Sequence, residues 1–164
     1  MVTSVVFSQN KPLELTEKGV EPAIIKLDSL SASQIYKKVD GWIQTNYKNP
    51  SEVIKGNIEN EMIRISGFQK DFFSREYKSG NIVFYDVSYG LTFEFQNEKM
   101  RVTFQPQTIK VDGSKVHFTE KDFFGGVDIN GNSYEGSVET YNLSLEKLLT
   151  SLTNYIKGSD SKDW

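Results

Sequence analysis

Residues 83–96 read Val83-Phe84-Tyr85-Asp86-Val87-Ser88-Tyr89-Gly90-Leu91-Thr92-Phe93-Glu94-Phe95-Gln96. Apolar side chains hold every odd position from Val83 to Phe95, and from Asp86 on the even positions are polar or glycine. A period of two sustained over this length predicts one strand with a buried face and a wetted face. Downstream, Met100, Val102 and Phe104 alternate with Arg101, Thr103 and Gln105. A tight loop at Asn97-Glu98 then pairs Phe95 with Met100, Phe93 with Val102 and Leu91 with Phe104. The same register sets Thr92 opposite Thr103 and Glu94 opposite Arg101. A slip of one residue would spoil both faces together. Asn97-Glu98 lacks the glycine that two-residue turns favour, which leaves a longer loop open.

A chain of 164 residues is most simply one domain with a substantial core. Its 11 Phe and 8 Tyr suit a sheet-rich globule, and a net charge of -3 gives no general attraction to a phosphate backbone. The absence of cysteine excludes disulfides and thiolate chemistry. No apolar run reaches membrane-spanning length. The opening Met1-Val2-Thr3-Ser4-Val5-Val6-Phe7 is short for an export signal and lacks its basic flank. The expected location is the cytoplasm, or a virion or other large complex.

Along the chain, residues 1–20 read as an extended arm, with a β-prone Val5-Val6-Phe7 before a Pro-interrupted polar stretch. Residues 21–158 read as a single domain and 159–164 as a polar tail. A strand is predicted near Ala23 to Leu27. Ser31 and Gln34 have capping-box spacing, and Ile35, Val39, Trp42 and Ile43 recur at helical intervals until Asn49-Pro50. Gly41 within this helix costs about 1 kcal/mol relative to alanine, which predicts close packing of the helix on the sheet. Val53 to Ile58 and Met62 to Phe68 read as a hairpin, and Gln69 to Asn81 as a loop. Asp112-Gly113 marks a turn between short strands at 109–111 and 116–118. The stripe Leu145, Leu148, Leu149, Leu152 and Ile156 predicts a second helix, capped by Asn142 or Ser144 and ended by Gly158. The fold class is therefore α+β, in two layers, with two helices on one face of an antiparallel sheet.

Leu27-Asp28-Ser29-Leu30-Ser31 through Trp42-Ile43, Tyr47-Lys48-Asn49-Pro50-Ser51-Glu52-Val53-Ile54 and Ile63-Arg64-Ile65-Ser66-Gly67 carry a family pattern, continued by Tyr89-Gly90-Leu91-Thr92-Phe93 and Arg101-Val102-Thr103. Over residues 25 to 105 the chain resembles a bacterial domain of unknown function with a TBP-like fold. The resemblance implies a strand–helix–antiparallel-sheet order and brings no catalytic residues.

Chemistry is sparse. The single histidine, His117, stands between Val116 and Phe118 with no nucleophile elbow or second ligand beside it, and reads as a solvent-facing strand residue. Zinc needs several His or Cys ligands, and phosphate-loop or dinucleotide glycine spacings are missing. Asp71, Glu76, Asp122 and Glu139 carry no sequence signal for pairing. Asp128, Asn130, Asn132 and Glu139 match four positions of a calcium loop, but Ser133 stands where the loop needs glycine. The competing reading is a hairpin turning at Asn130-Gly131. Glu94 and Gln96 beside Arg101, with Lys37, Lys38, Arg75, Lys78, Lys110 and Lys121 scattered, make no basic stripe for nucleic acid.

Lys70-Asp71-Phe72-Phe73 recurs as Lys121-Asp122-Phe123-Phe124 in segments read as loops. Phe72, Phe73, Phe123 and Phe124 either plug the ends of the core or anchor another protein. Trp164 poses the same choice between a frayed tail and an anchor, and the N-terminal arm is suited to adding a strand to a neighbour's sheet. The expected function is a non-catalytic structural or assembly subunit contacting copies of itself or other proteins. No cofactor, metal, nucleic-acid partner or membrane partner is expected. The alternative is a binding module for a small apolar or peptide ligand between helices and sheet.

Overall fold

The computed structural model describes residues 10–158. In chain order the strands and helices are β1 (Glu14–Thr16), β2 (Gly19–Glu21), β3 (Ala23–Lys26), α1 (Ala32–Asn46), α2 (Pro50–Val53), β4 (Ile54–Ile58), β5 (Met62–Tyr77), β6 (Ile82–Gln96), β7 (Lys99–Val111), β8 (Ser114–Val116), α3 (Glu120–Phe124), β9 (Tyr134–Glu135) and α4 (Ser137–Lys157). The main sheet runs β3-β7-β6-β5-β4, with β8 added beside β7 and β9 beside β5, and all its pairs are antiparallel. The two long helices α1 and α4 share one core with the inward face of this sheet. The architecture is the two-layer α+β one, with the two single-turn helices α2 and α3 added.

The β6–β7 register is Phe95↔Met100, Phe93↔Val102, Leu91↔Phe104, Thr92↔Thr103 and Glu94↔Arg101, as the alternation requires. Gln96↔Lys99 closes the turn on two residues. Glu98 takes φ 62°, a left-handed conformation that ordinarily favours glycine. It is held there by the β3–α1 connection: its N–H donates to Leu30 O, its carbonyl accepts from Leu27 N, and the Asn97 side chain accepts from Ala32 N. Tertiary hydrogen bonds replace the missing glycine.

Helix α1 opens with the expected capping box: Gln34 N–H donates to Ser31 Oγ at 3.2 Å and Ser31 N–H to Gln34 Oε1 at 2.8 Å. Its Ile35, Val39, Trp42 and Ile43 are buried. Gly41, expected to face the sheet, instead faces α4, where a Cβ would sit 2.7 Å from the Tyr155 hydroxyl. On the sheet itself the close approach is at Gly67, over which the Tyr89 ring lies 2.5 Å from a Cβ position. Gly67→Val is therefore expected to displace Tyr89 and destabilise the domain by about 1–3 kcal/mol, read as a lower urea midpoint. An unchanged midpoint would mean that the ring does not cover this strand.

Four segments depart from the sequence reading, the smallest being the strand expected at 116–118, which lies at 114–116 and leaves His117 beyond it. Of the expected loop 69–81, residues 69–77 are strand and only 78–81 turn: β5 continues to Tyr77 through a bulge between Gln69↔Val87 and Phe73↔Tyr85. Asp71 turns at φ 52° and its N–H donates to Asp86 Oδ1 at 2.9 Å, so a polar interruption of the period re-aims the strand. Helix α4 begins at Ser137 behind Gly136 (φ 80°), not at Asn142 or Ser144. Those two polar residues lie inside the helix and bond other parts of the chain: Asn142 Oδ1 accepts from Leu15 N at 2.8 Å, and the Ser144 hydroxyl donates to Phe72 O. Residues 10–20, expected as an arm, belong to the domain. Lys11 bridges Ile24, β1 and β2 form a hairpin, and Leu13 and Leu15 are buried. Val5-Val6-Phe7 and the tail 159–164 lie outside the described residues.

Candidate functional site

Strand β3 pairs with β7 only over Lys99 to Val102, and β8 only over Ile109 to Val111. Between them β7 carries a bulge at Pro106-Gln107, where two residues face the single step from Ser88 to Tyr89. Proline withholds an amide and is tolerated at such an edge. Upstream of β3 the chain turns into the β1–β2 hairpin, whose β2 stays beside β7 without pairing with it. The outer edge of β7 over residues 103–108 consequently has no strand partner among the described residues. A cleft of about 780 Å³ opens there. Leu15, Phe104, Ile109, Phe123 and Tyr141 give it apolar walls, and Gln107, Lys115, His117 and Thr119 are its polar lining.

Tyr141 is 1% exposed, and its ring packs against Phe72, Phe104 and Phe123 at centroid distances of 4.9, 6.2 and 5.2 Å. Burial alone pushes its phenol well up from the ordinary value. The hydroxyl has no hydrogen-bond partner among the described residues while the side chain lines the cleft. Asp122 sits behind His117 and caps α3, accepting from Thr119 N and Oγ1 at 2.6 and 2.7 Å. Burial opposes its ionisation, but the Thr119 bonds, with Arg75 and His117, hold its carboxyl below the usual range.

The cleft's far wall is pinned by a buried cation. Arg75 is 5% exposed, and its guanidinium lies 3.8 Å from the Tyr134 ring centroid, 4.3 Å from that of Phe118 and 5.7 Å from that of Tyr85. Its Nη2 donates to Asp122 O and to the Tyr134 hydroxyl, while Nε is unpartnered among the described residues. No carboxylate lies within ion-pair distance among the described residues, so aromatic faces and a carbonyl carry the charge.

The residues singled out from sequence separate sharply. Phe72 and Phe73 are each 1% exposed, and Phe123 is buried with them. The bulge in β5 turns both members of the first pair inward, with Phe73 stacked on Tyr85 at 4.6 Å. As partner anchors these three are corrected: they are core. Phe124 is exposed, and so are Val127 and Ile129 just beyond it, Ile129 completely. Trp164 lies outside the described residues. Asp128 closes its own turn, its Oδ1 accepting from Asn130 N and Asn132 N at 2.9 and 2.8 Å, with Gly131 at φ 81°. Val127 bridges Ser133, and Glu139 lies in the first turn of α4, so the segment is the hairpin and not a calcium loop. Among the described residues no cluster of three or more metal-ligating side chains forms. His117 is exposed beside β8 and lines the cleft.

Tyr47, Tyr85, Tyr89, Tyr134 and Tyr141 face the interior, and burial raises the Tyr134 phenol like the others. Burial and the neighbouring Tyr89 hydroxyl, 3.4 Å away, raise Tyr47; burial raises Tyr89 and Tyr141; burial, then Tyr77, pushes Tyr85 up to about 12. Unfolded tyrosine ionises near ~10. The folded values are higher, so this contribution to stability is complete below pH ~10 and is lost as pH rises through the folded values. Urea midpoints are expected to fall across that window, with tyrosinate absorbance appearing together with unfolding. Ionisation well before unfolding would contradict the burial of these phenols.

With this geometry in hand the class is that of an α+β domain of TBP-like fold. Residues 23–110 match the family model described as "Domain of unknown function (DUF4468) with TBP-like fold", and the chain belongs to that family. A DUF4468 family protein from Bacteroides ovatus has a similar structure, with TM-score 0.63, 13% identity, and coverage of 92% of each chain. A TBP-like protein from Parabacteroides distasonis is also similar, with TM-score 0.55 and 10% identity over 84% of this chain and 91% of its own. No curated protein matches this chain. No helix among the described residues is long and apolar enough to cross a membrane.

Proposed function

We propose that the domain is a non-catalytic structural or assembly subunit that makes protein–protein contacts within a larger complex. The observation that supports this reading is the end of α3 and the hairpin after it, where Phe124, Val127 and Ile129 are all exposed within six residues of chain. Apolar side chains gathered outside the core mark contact surfaces. The test is native mass spectrometry of the protein purified from its source, with Val127→Asp and Ile129→Asp as the comparison. A complex of defined stoichiometry is expected, and the double variant is expected to release the domain from it. A monomer carrying a bound small molecule would instead favour the second reading, a module for a small apolar ligand, which the cleft beside β7 supports.

A further inference from the structure

We propose that the cleft beside β7 is a strand-addition site: it receives an extended peptide of a protein partner, antiparallel to β7, that carries a large apolar side chain and an acidic residue. This inference rests on the protein-contact reading and gives it a site and a ligand chemistry.

Both segments that pair with the outer edge of β7 run antiparallel to it, β3 over Lys99 to Val102 and β8 over Ile109 to Val111. Over residues 103–108 between them no strand pairs with this edge among the described residues, although only alternate residues aim their main-chain groups outward, Pro106 supplies no N–H, and β2 lies beside part of the stretch. An unpaired edge is a template for another extended chain, and here it is neither flat nor open-ended: the flanking strands limit its length and the β1–β2 hairpin stands across from it. Main-chain hydrogen bonds supply affinity in such complexes, and pockets for alternate side chains supply selectivity. The pocket is apolar, walled by Phe104, Ile109, Phe123 and Tyr141.

Tyr141 also lines the cleft, and its hydroxyl makes no hydrogen bond to another described residue. It is placed to donate to a carbonyl or side-chain oxygen of an inserted chain. Charge bears on the ligand as well: Lys115 and His117 line the cleft, no carboxylate among the described side chains does so, and Asp122 is committed to Thr119. That complements an acidic residue on the peptide.

The test uses a phage-displayed library of random twelve-residue peptides selected on the full-length protein, with amide chemical shifts mapping the best synthetic binder. Enriched sequences are expected to alternate apolar and polar residues and to include Asp or Glu. Their binding is expected to shift the amides of residues 103–108. Tyr141→Phe should weaken binding about threefold to tenfold, the loss of one hydrogen bond, and Lys115→Glu with His117→Glu, both exposed, should shift selection toward basic peptides. Proline at alternate positions of the peptide should abolish binding. No enrichment, shifts confined to other residues, full tolerance of proline, or shifts at 103–108 produced by dodecanoate but by no peptide would overturn the proposal. In any of these cases a defined complex by native mass spectrometry would leave the protein-contact reading standing without this site.

Discussion

Phe72→Ala is expected to destabilise the domain by about 3–5 kcal/mol, a large share of the ~5–15 kcal/mol typical of a domain. The side chain is buried where β5 bulges, with its ring 4.9 Å from Tyr141 and 5.6 Å from Phe104 by centroid. Removing it leaves a void between α4 and the sheet that the surrounding aromatic rings cannot close without leaving their edge and stacking geometry. Equilibrium urea denaturation measures the loss, and Phe72→Leu should cost less. Stability equal to the parent's, with association lost, would return Phe72 to the role of a partner anchor.

Arg75→Ala is expected to cost about 2–4 kcal/mol, from the loss of cation–aromatic contacts and charge-assisted hydrogen bonds. The guanidinium ties together Phe118, Tyr134 and the Asp122 carbonyl, which belong to three successive segments after β8. Burying a cation without a carboxylate is itself costly, so Arg75→Met, which keeps the stem and removes the charge, should be milder than Arg75→Ala. Hydrogen exchange is expected to accelerate across residues 117–135 in both variants while β6 stays protected. Uniform acceleration over the whole chain would show that Arg75 holds the global fold and not this wall.

How much of this was legible in the sequence follows from periodicity. The β6–β7 register could be read because apolar residues hold every odd position from Val83 to Phe95 and, from Asp86 on, polar residues or glycine hold the even ones. The capping box of α1 was legible because its signal is local, in Ser31 and Gln34. The same rule hid the second half of β5: Lys70-Asp71 breaks the period, and a bulge that turns Phe72 and Phe73 to the same side looks like a loop. It also hid the first turns of α4, whose Thr140, Asn142 and Ser144 hold the chain to β5 and to the β1–β2 hairpin. The family resemblance over 25 to 105 agreed with the matched span 23–110, because that span carries the regular strands. The cleft had no local signature. It forms from Leu15, the β7 bulge, His117 and Tyr141, residues far apart in the chain that only the completed sheet brings together.

Partner contact is proposed outside the closed core, where the side chains of Phe124, Val127 and Ile129 are exposed and the outer edge of β7 over 103–108 has no strand partner among the described residues. Hydrogen–deuterium exchange of the protein, free and in the complex isolated from its source, tests that placement directly. The account predicts new protection of the amides at 103–108 and 124–129, with the amides of Phe72 and Phe73 protected equally in both states. Protection gained instead across the open face of the sheet, around Phe68 and Phe84, with those two stretches unchanged, would contradict it.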